Sequence, residues 1–182
     1  MNKRPTLGET NMIVILNGSV GVGKTAVSCC LSERFKKSVM LDGDYIGAVH
    51  PFEIYDSSRI DYLNQTLAHL ISFHRKNGYN DFVVNYVFEN ADELKSLVDL
   101  LHPICKDISS FWLTCSEEEQ DKRILDRHTD QLEWERSRFK ALNGILEKSA
   151  KDGNIGSKID TTGMSVKEVA ADIWARMKWP LN

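Results

Sequence analysis

The stretch ILNGSVGVGKTAVSCC, from Ile15 to Cys30, decides the fold, because eight of its residues form the pattern G-x-x-x-x-G-K-T from Gly18 to Thr25. Glycines in such a loop let backbone N–H groups close around phosphate oxygens without an obstructing Cβ. A helix that begins at the end of the loop directs its positive dipole end at the anion. Lys24 and Thr25 add an ammonium group for the terminal phosphates and a hydroxyl for Mg²⁺. The residues from Gly18 to Thr25, called the glycine loop from here on, therefore predict a nucleoside triphosphate site.

Strand and helix signals alternate on both sides of the glycine loop. The sequence predicts strands at 12–16, 38–42, 81–88, 109–115 and 158–162. Helices are expected at 25–35, 59–76, 91–101, directly after the N-cap Ser116, at 131–148 and at 165–177. Apolar strands separated by helices indicate a parallel sheet with helices on both faces. We expect one α/β domain over 1–182, a three-layer α/β/α arrangement with a five-stranded parallel sheet, and a flexible extension at 1–11.

The composition is that of an ordinary globular protein. The 182 residues are 42% hydrophobic and 27% charged, with a formal net charge of −3, which leaves no basic footprint for nucleic acid or an anionic membrane. The four cysteines show no metal-finger spacing. No apolar run is long enough to span a bilayer, and the first residues lack the apolar core of a signal peptide. We therefore expect a cytoplasmic protein that binds neither nucleic acid nor membrane, while the oligomeric state stays open.

Two carboxylates follow the second predicted strand in the sequence VMLDGDYIG. Asp42 and Asp44 leave the carboxyl end of that strand, where open α/β sheets place their ligands. One carboxylate there can organise the water shell of Mg²⁺, and the other can accept a proton from an attacking hydroxyl or hold it in line. The alternative is a pair of loop carboxylates that form only turn and cap hydrogen bonds.

The glycine loop together with the D-G-D of Asp42 to Asp44 resembles the small P-loop phosphotransferases related to shikimate, gluconate, adenylylsulfate and chloramphenicol kinases. The resemblance implies the P-loop NTPase fold of the nucleoside-kinase type, with ATP and Mg²⁺ as cofactors. It implies a metal-linked role for Asp42 beside Thr25, and a base or orienting role for Asp44. The nucleotide contacts that it implies in the glycine loop and the first helix turn are Gly18, Ser19, Val20, Gly21, Val22, Gly23, Lys24, Thr25 and Ala26.

Later segments extend the resemblance. In DKRILDRHTDQ, Arg123 and Arg127 stand four residues apart on one helix face, and the planar fork of arginine suits phosphate oxygens. Related kinases carry arginines in or beside a lid, which implies a lid with flanking helices at about 116–150. The terminal strand, IDT loop and helix imply that Asp160 lies near the adenine. The alternatives are a solvated ion-pair face for the arginines and a simple turn role for Asp160.

The acceptor side of the site is less sharply marked. Besides Asp44, five residues are candidate substrate contacts: His50, Arg59, Asn85, Tyr86 and Glu89. His50 and Arg59 belong to an expected insertion after the second strand, while Asn85, Tyr86 and Glu89 lie near the end of the third. Tyr86 is equally compatible with a core position, and Arg59 with a helix surface. The four tryptophans, Trp134 among them, are expected to be core or helix-packing residues.

These features together predict a kinase that transfers the γ-phosphoryl group of ATP to a hydroxyl of a small molecule such as a sugar, a sugar acid or an antibiotic. Lys24, Asp44 and Arg127 are the expected catalytic residues. The resemblance and the residues leave two alternatives open. One is a nucleoside or nucleotide kinase, and the other is an NTP-binding regulatory or resistance protein that transfers phosphate to no acceptor.

Overall fold

The order of helices and strands follows the alternation that the sequence predicts. The structure is a computed structural model that describes residues 10–50, 56, 58–127 and 130–177. Its elements are β1 (Met12–Gly18), α1 (Lys24–Ser32), β2 (Ser38–Asp42), α2 (Gly43–Ile46), α3 (Arg59–Lys76), β3 (Asp81–Asn85), α4 (Ala91–Leu101), β4 (Asp107–Thr114), α5 (Glu117–Leu125), α6 (Leu132–Asp152), β5 (Ser157–Asp160) and α7 (Val166–Arg176).

The five strands form one parallel sheet in the order β2-β3-β1-β4-β5. All seven residues of β1, the central strand, are buried because apolar side chains cover both faces of the sheet. Alternate residues of β1 point to opposite faces, so Val14 packs into a core with α1 and α7, while Ile15 packs into a second core with α3 and α4. The predicted three-layer α/β/α fold with a five-stranded parallel sheet is confirmed.

Most predicted boundaries agree with the structure, and β2, α3 and α4 agree at both ends. The prediction of a third strand through Phe88 is wrong, since β3 ends at Asn85. After Asn85, the N–H of Phe88 donates to the side-chain Oδ1 of Asn17 at 2.9 Å rather than to a backbone carbonyl of β1. The short helix α2 was not expected, and residues 1–9 of the expected N-terminal extension lie outside the described residues.

Asn17 joins three loops at the carboxyl edge of the sheet. Its side chain is fully buried, and Oδ1 also accepts from the N–H of Gly18 at 2.7 Å. Its Nδ2 donates to the carbonyls of Phe88 at 3.1 Å and Ile155 at 3.2 Å. The end of β1 is therefore bonded to the segment after β3 and to the segment before β5, and this fixes where the glycine loop begins.

We expect Asn17→Ala to lower the free energy of unfolding by about 3 kcal/mol, because it leaves buried backbone groups of the three loops without partners. Urea unfolding followed by circular dichroism measures this change. The exposed Asn80 supplies the matched control, and Asn80→Ala should change the free energy by less than about 0.5 kcal/mol. Equal small effects of the two substitutions would contradict a supporting role for the Asn17 amide.

Candidate functional site

The glycine loop connects the end of β1 to the start of α1. Gly21 and Gly23 adopt φ values of +82° and +97°, a region that residues with a Cβ rarely occupy. At Gly18, a Cβ would lie 2.6 Å from the carbonyl oxygen of Leu113 on β4. Gly23 is the N-cap of α1, which begins at Lys24. The loop thus closes around a space at the N-terminus of a nine-residue helix, which is the geometry of an anion cradle.

Helices α5 and α6 support the glycine loop from outside. The buried Gln120 on α5 donates from its amide to the carbonyl of Val20, and Arg123 donates to the carbonyl of Val22 at 3.4 Å. From the loop, the Ser19 hydroxyl donates to the carbonyl of Phe139 on α6 at 3.2 Å. Because these bonds use side-chain and carbonyl atoms, they do not occupy the backbone N–H groups of Val20, Gly21 and Val22.

The ammonium group of Lys24 is buried beneath the loop. Its Nζ donates to the carbonyl of Ser19 at 3.0 Å, and only 8% of the residue is exposed. Burial lowers its pKa below the ordinary lysine value, while the nearby carboxylates of Asp44 and Asp42 act in the opposite direction. A positive charge held there with so few partners is suited to bind an incoming anion.

Asp42 links the first turn of α1 to the start of α2. Its Oδ2 accepts from the Thr25 hydroxyl at 2.9 Å, and its Oδ1 accepts from the N–H of Asp44 at 3.0 Å. Asp42 is therefore the N-cap of α2. It forms the cap bond of the alternative interpretation and also contacts the glycine loop. The residue between the two aspartates is Gly43. A larger residue would not fit there, because a Cβ would lie 2.6 Å from the ring of Tyr86.

Asp44 lies in the wall of the cleft that faces the glycine loop. Asp44 is exposed at the cleft surface, and partial desolvation of its carboxyl raises its pKa above the ordinary aspartate value. Lys24 opposes that shift, Asp42 adds to it, and Arg59 opposes it more weakly. A carboxylate with a raised pKa, close to a buried ammonium, can accept a proton from a bound hydroxyl.

One cleft of about 780 Å³ contains both the glycine loop and the acceptor side that the sequence predicts. Eleven of the predicted residues line it: Val20, Gly21, Gly23, Lys24, Thr25, Asp44, His50, Arg59, Tyr86, Glu89 and Arg127. Tyr86 is also largely buried and packs against Phe88, so it belongs to the core and to the cleft wall at once. The fold thus brings together residues from five separate segments of the chain.

The two arginines of α5 and its end differ in their surroundings. Arg123 pairs with Glu119 at 3.1 Å and donates to the hydroxyl and carbonyl of Thr161 at 3.0 and 2.9 Å. It therefore connects α5 with the segment after β5. Arg127 follows α5, is exposed, lines the cleft and lies 3.6 Å from a carboxylate oxygen of Glu135. Its positive charge contributes to the lowered pKa of Lys24, so it lies on the phosphate side of the cleft.

Asp160 ends β5 and accepts from the N–H and hydroxyl of Thr162 at 2.9 and 2.6 Å, which is a turn arrangement. These bonds hold its pKa below the ordinary value. Asp160 is not among the cleft-lining residues that the structure describes. A contact between Asp160 and adenine stays a prediction.

Asn85 is a buried polar residue at the end of β3. It pairs in register with Asp42 on β2 and with Leu16 on β1, and only 1% of it is exposed. Because residues in register share a face of a parallel sheet, its side chain lies on the same side as that of Asp42. Neither its Oδ1 nor its Nδ2 has a hydrogen-bond partner. An amide that is buried without partners costs stability, so its position beside Asp42 requires a functional explanation.

Helix α6 contributes residues to the cleft that the sequence analysis did not identify. Trp134, Arg138 and Leu142 lie on one helix face at intervals of four residues, and all three line the cleft. The expectation that Trp134 is a core or helix-packing residue is wrong, because 52% of it is exposed within the cleft. Arg138 forms an ion pair with Glu89. The spacing from 134 to 142 was the available signal, but its apolar and charged residues equally suit an ordinary surface helix.

Comparisons with solved structures show that other proteins share this fold. The Deinococcus radiodurans tunicamycin resistance protein superposes with a TM-score of 0.63 at 18% identity, covering 94% of this chain and 99% of that one. The Mycobacterium tuberculosis APS kinase in complex with AMPPNP and APS gives 0.64 at 15% identity, covering 92% and 98%. A Sinorhizobium meliloti gluconokinase gives 0.59 at 14% identity, covering 92% of each chain. At these identities the likeness establishes a shared fold, and it confirms the fold that the sequence resemblance implies.

No protein-family model matches the chain, and no curated protein matches it by sequence. Among the described residues, no helix is long and apolar enough to cross a membrane. The same part of the chain contains no cluster of three or more histidine, cysteine, aspartate or glutamate side chains that could hold a metal ion alone.

The opposite pKa shifts of Asp44 and Asp160 give a matched test of the cleft. The pKa of Asp44 is higher in the folded chain than in the unfolded chain, so its ionised form disfavours folding above the ordinary aspartate range. Asp44→Asn should therefore stabilise the free protein at neutral pH, and the gain should shrink near about pH 4. Urea unfolding at the two pH values measures both effects.

The control is Asp160→Asn, because the bonds from Thr162 lower the pKa of Asp160. That ionised carboxylate favours folding above the ordinary aspartate range, so its loss should destabilise the protein at neutral pH and matter less in acid. If the two substitutions shifted stability in the same direction with pH, the electrostatic description of the cleft would be incorrect.

Proposed function

We propose that this chain is a kinase that uses ATP and Mg²⁺ to phosphorylate a hydroxyl group of a small molecule. The observation that carries the proposal is the single cleft in which Lys24 and Thr25 of the glycine loop face Asp44 across the carboxyl edge of the sheet. An anion cradle alone would suit any nucleotide-binding protein. A carboxylate in the same cleft as the cradle can orient an acceptor hydroxyl and accept its proton, which suits transfer to that group.

The residues have separate roles in this proposal. The backbone N–H groups of the glycine loop and Lys24 hold the β- and γ-phosphates of ATP, while Asp44 orients the acceptor hydroxyl and takes its proton. The hydroxyl oxygen bonds to the γ-phosphorus as the bond to the β–γ bridging oxygen breaks and ADP leaves. Arg127 stabilises the negative charge that develops on that bridge. Such a site accelerates transfer by positioning and electrostatics rather than by covalent chemistry.

The residues around Asp42 fit a magnesium ion. Thr25 Oγ1 and Asp42 Oδ2 lie 2.9 Å apart, and the unpaired Asn85 amide lies on the same face of the sheet. Hydroxyl, carboxylate and amide oxygens suit the hydrated Mg²⁺ ion, which binds few protein groups and keeps several waters. When bound with ATP, Mg²⁺ would neutralise charge on the β- and γ-phosphates. Asp42 and Asn85 would hold its water shell in place.

The alternative of another class is a resistance or regulatory protein that binds nucleotide without transferring phosphate, and one fold neighbour is named as a tunicamycin resistance protein. The gluconokinase and the APS kinase favour the kinase. ATP consumption with Mg²⁺ across a panel of hydroxylated acceptors, followed by mass analysis of the products, separates the two. Transfer of one phosphoryl group to an acceptor supports the kinase, whereas tight nucleotide binding without transfer to any acceptor supports the alternative.

Replacement of the proposed base tests the mechanism. Asp44→Asn should reduce phosphoryl transfer by about 100-fold or more, because removal of a positioned base typically costs two to four orders of magnitude. The Kd for ATP, measured by isothermal titration calorimetry, should change little. Lys24→Met is the contrasting variant, in which nucleotide affinity itself falls. Transfer by Asp44→Asn at close to the parent rate would rule out the assigned role.

Asn85→Leu tests the metal assignment without relying on activity. The free protein should be as stable as the parent or more stable, because the substitution removes two buried polar atoms that have no partners. The strengthening of ATP binding by Mg²⁺, measured as the ratio of Kd values with and without the ion, should decrease. A loss of stability with an unchanged ratio would assign Asn85 a purely structural role.

A further inference from the structure

The cleft displays two aromatic rings to solvent. Tyr45 follows Asp44 on α2 and is 81% exposed, while Trp134 in the first turn of α6 is 52% exposed. Val49, also exposed, lines the same cleft. Large apolar side chains that remain exposed together in a concave site mark a binding surface, because water contact costs free energy that a ligand can recover. Neither ring belongs to the three buried core clusters of the described chain.

The three arginines that line the cleft lie near carboxylates. Arg138 is paired with Glu89, Arg127 lies 3.6 Å from Glu135, and the positive charge of Arg59 acts on the carboxylate of Asp44. A negatively charged acceptor would have to displace these carboxylates or lie beside them, at a cost in desolvation and repulsion.

Trp134 and Arg138 stand one helical turn apart on α6, and Leu142 continues the same face. This face presents a flat ring, then an ion pair, then an aliphatic side chain to the cleft that also contains Asp44. Aromatic side chains bind planar rings by offset stacking or edge contact, and stacking depends little on the identity of the ring. The combination suits a molecule that has a planar ring on one side and a hydroxyl on the other.

We propose that the phosphoryl acceptor of this kinase is an uncharged alcohol that carries an aromatic or heteroaromatic ring, and that Trp134 recognises the ring while Asp44 receives the hydroxyl. This inference rests on the proposed kinase function, and it names the substrate class of the same site. It distinguishes the chain from a kinase of sugar acids, because Arg127 and Arg138 of this cleft lie beside carboxylates.

Three matched glucosides separate the contributions of the ring and of charge. Phenyl β-D-glucoside and methyl β-D-glucoside differ only in the aglycone, and phenyl β-D-glucuronide has a carboxylate in place of the C6 hydroxymethyl group of the first. Titration calorimetry in the presence of a non-hydrolysable ATP analogue and Mg²⁺ measures their affinities, and ADP release measures transfer. Phenyl glucoside should bind roughly 5- to 100-fold more tightly than methyl glucoside, in line with the contribution of one stacked ring. The glucuronide should bind more weakly than phenyl glucoside.

Substitution of the tryptophan tests whether the ring contact lies where we place it. Trp134→Ala should remove the preference for phenyl over methyl glucoside, and Trp134→Phe should retain most of it. The affinity for the ATP analogue should be unchanged in both variants. Phe73 on α3 is 56% exposed and does not line the cleft, so Phe73→Ala is the matched control and should alter none of these affinities.

The outcomes separate this inference from the proposed function. Transfer of phosphate to gluconate or to the glucuronide in preference to the phenyl glucoside would support a kinase and overturn the uncharged ring acceptor. Ring-dependent binding that disappears in Trp134→Ala, without transfer to any acceptor, would support the ring site and overturn the kinase. If phenyl glucoside bound no more tightly than methyl glucoside, or if Trp134→Ala left the preference intact, the ring site would be overturned.

Discussion

The buried ammonium group of Lys24 is the constraint on which the rest of the site depends. A charge that is almost completely removed from water destabilises the fold unless other groups compensate it, and here the compensation is one carbonyl at 3.0 Å and two carboxylates nearby. Hydrogen bonds of Gln120 and Arg123 to loop carbonyls, and of Ser19 to the carbonyl of Phe139, hold the glycine loop in place. Little reorganisation of the loop is then needed to bind an anion.

Several features at the carboxyl edge of the sheet oppose stability, and all of them lie around the same space. Lys24 has a lowered pKa, Asp44 has a raised pKa and Asn85 has a buried amide without partners. Asn17 at the same edge is satisfied by four hydrogen bonds. Unfavourable groups that are concentrated at one place are typical of a functional site.

The shared fold and the acceptor side carry different kinds of information. The parallel sheet with helices on both faces is what this chain has in common with structures that range from a gluconokinase to a resistance protein. Such a scaffold does not by itself choose a substrate. In the proposed function, that choice depends on side chains from α2, the start of α3, the segment after β3 and α6, which line the cleft. Tyr45 and Trp134 belong to this second group.

The sequence by itself determined the elements whose signals are local. The glycine loop, the helix caps at Ser116 and Ser165, and the boundaries of α3 and α4 follow from residue types at fixed spacing, and the alternation of strands and helices determined the parallel sheet. The early end of β3 was not visible, because it depends on the side chain of Asn17, which is distant in sequence. The same reason explains Trp134, whose position in a helix indicates no particular environment until the fold places α6 against the cleft. Only the tertiary structure decided which side chains complete the site, since contacts between distant segments follow from packing rather than from local pattern.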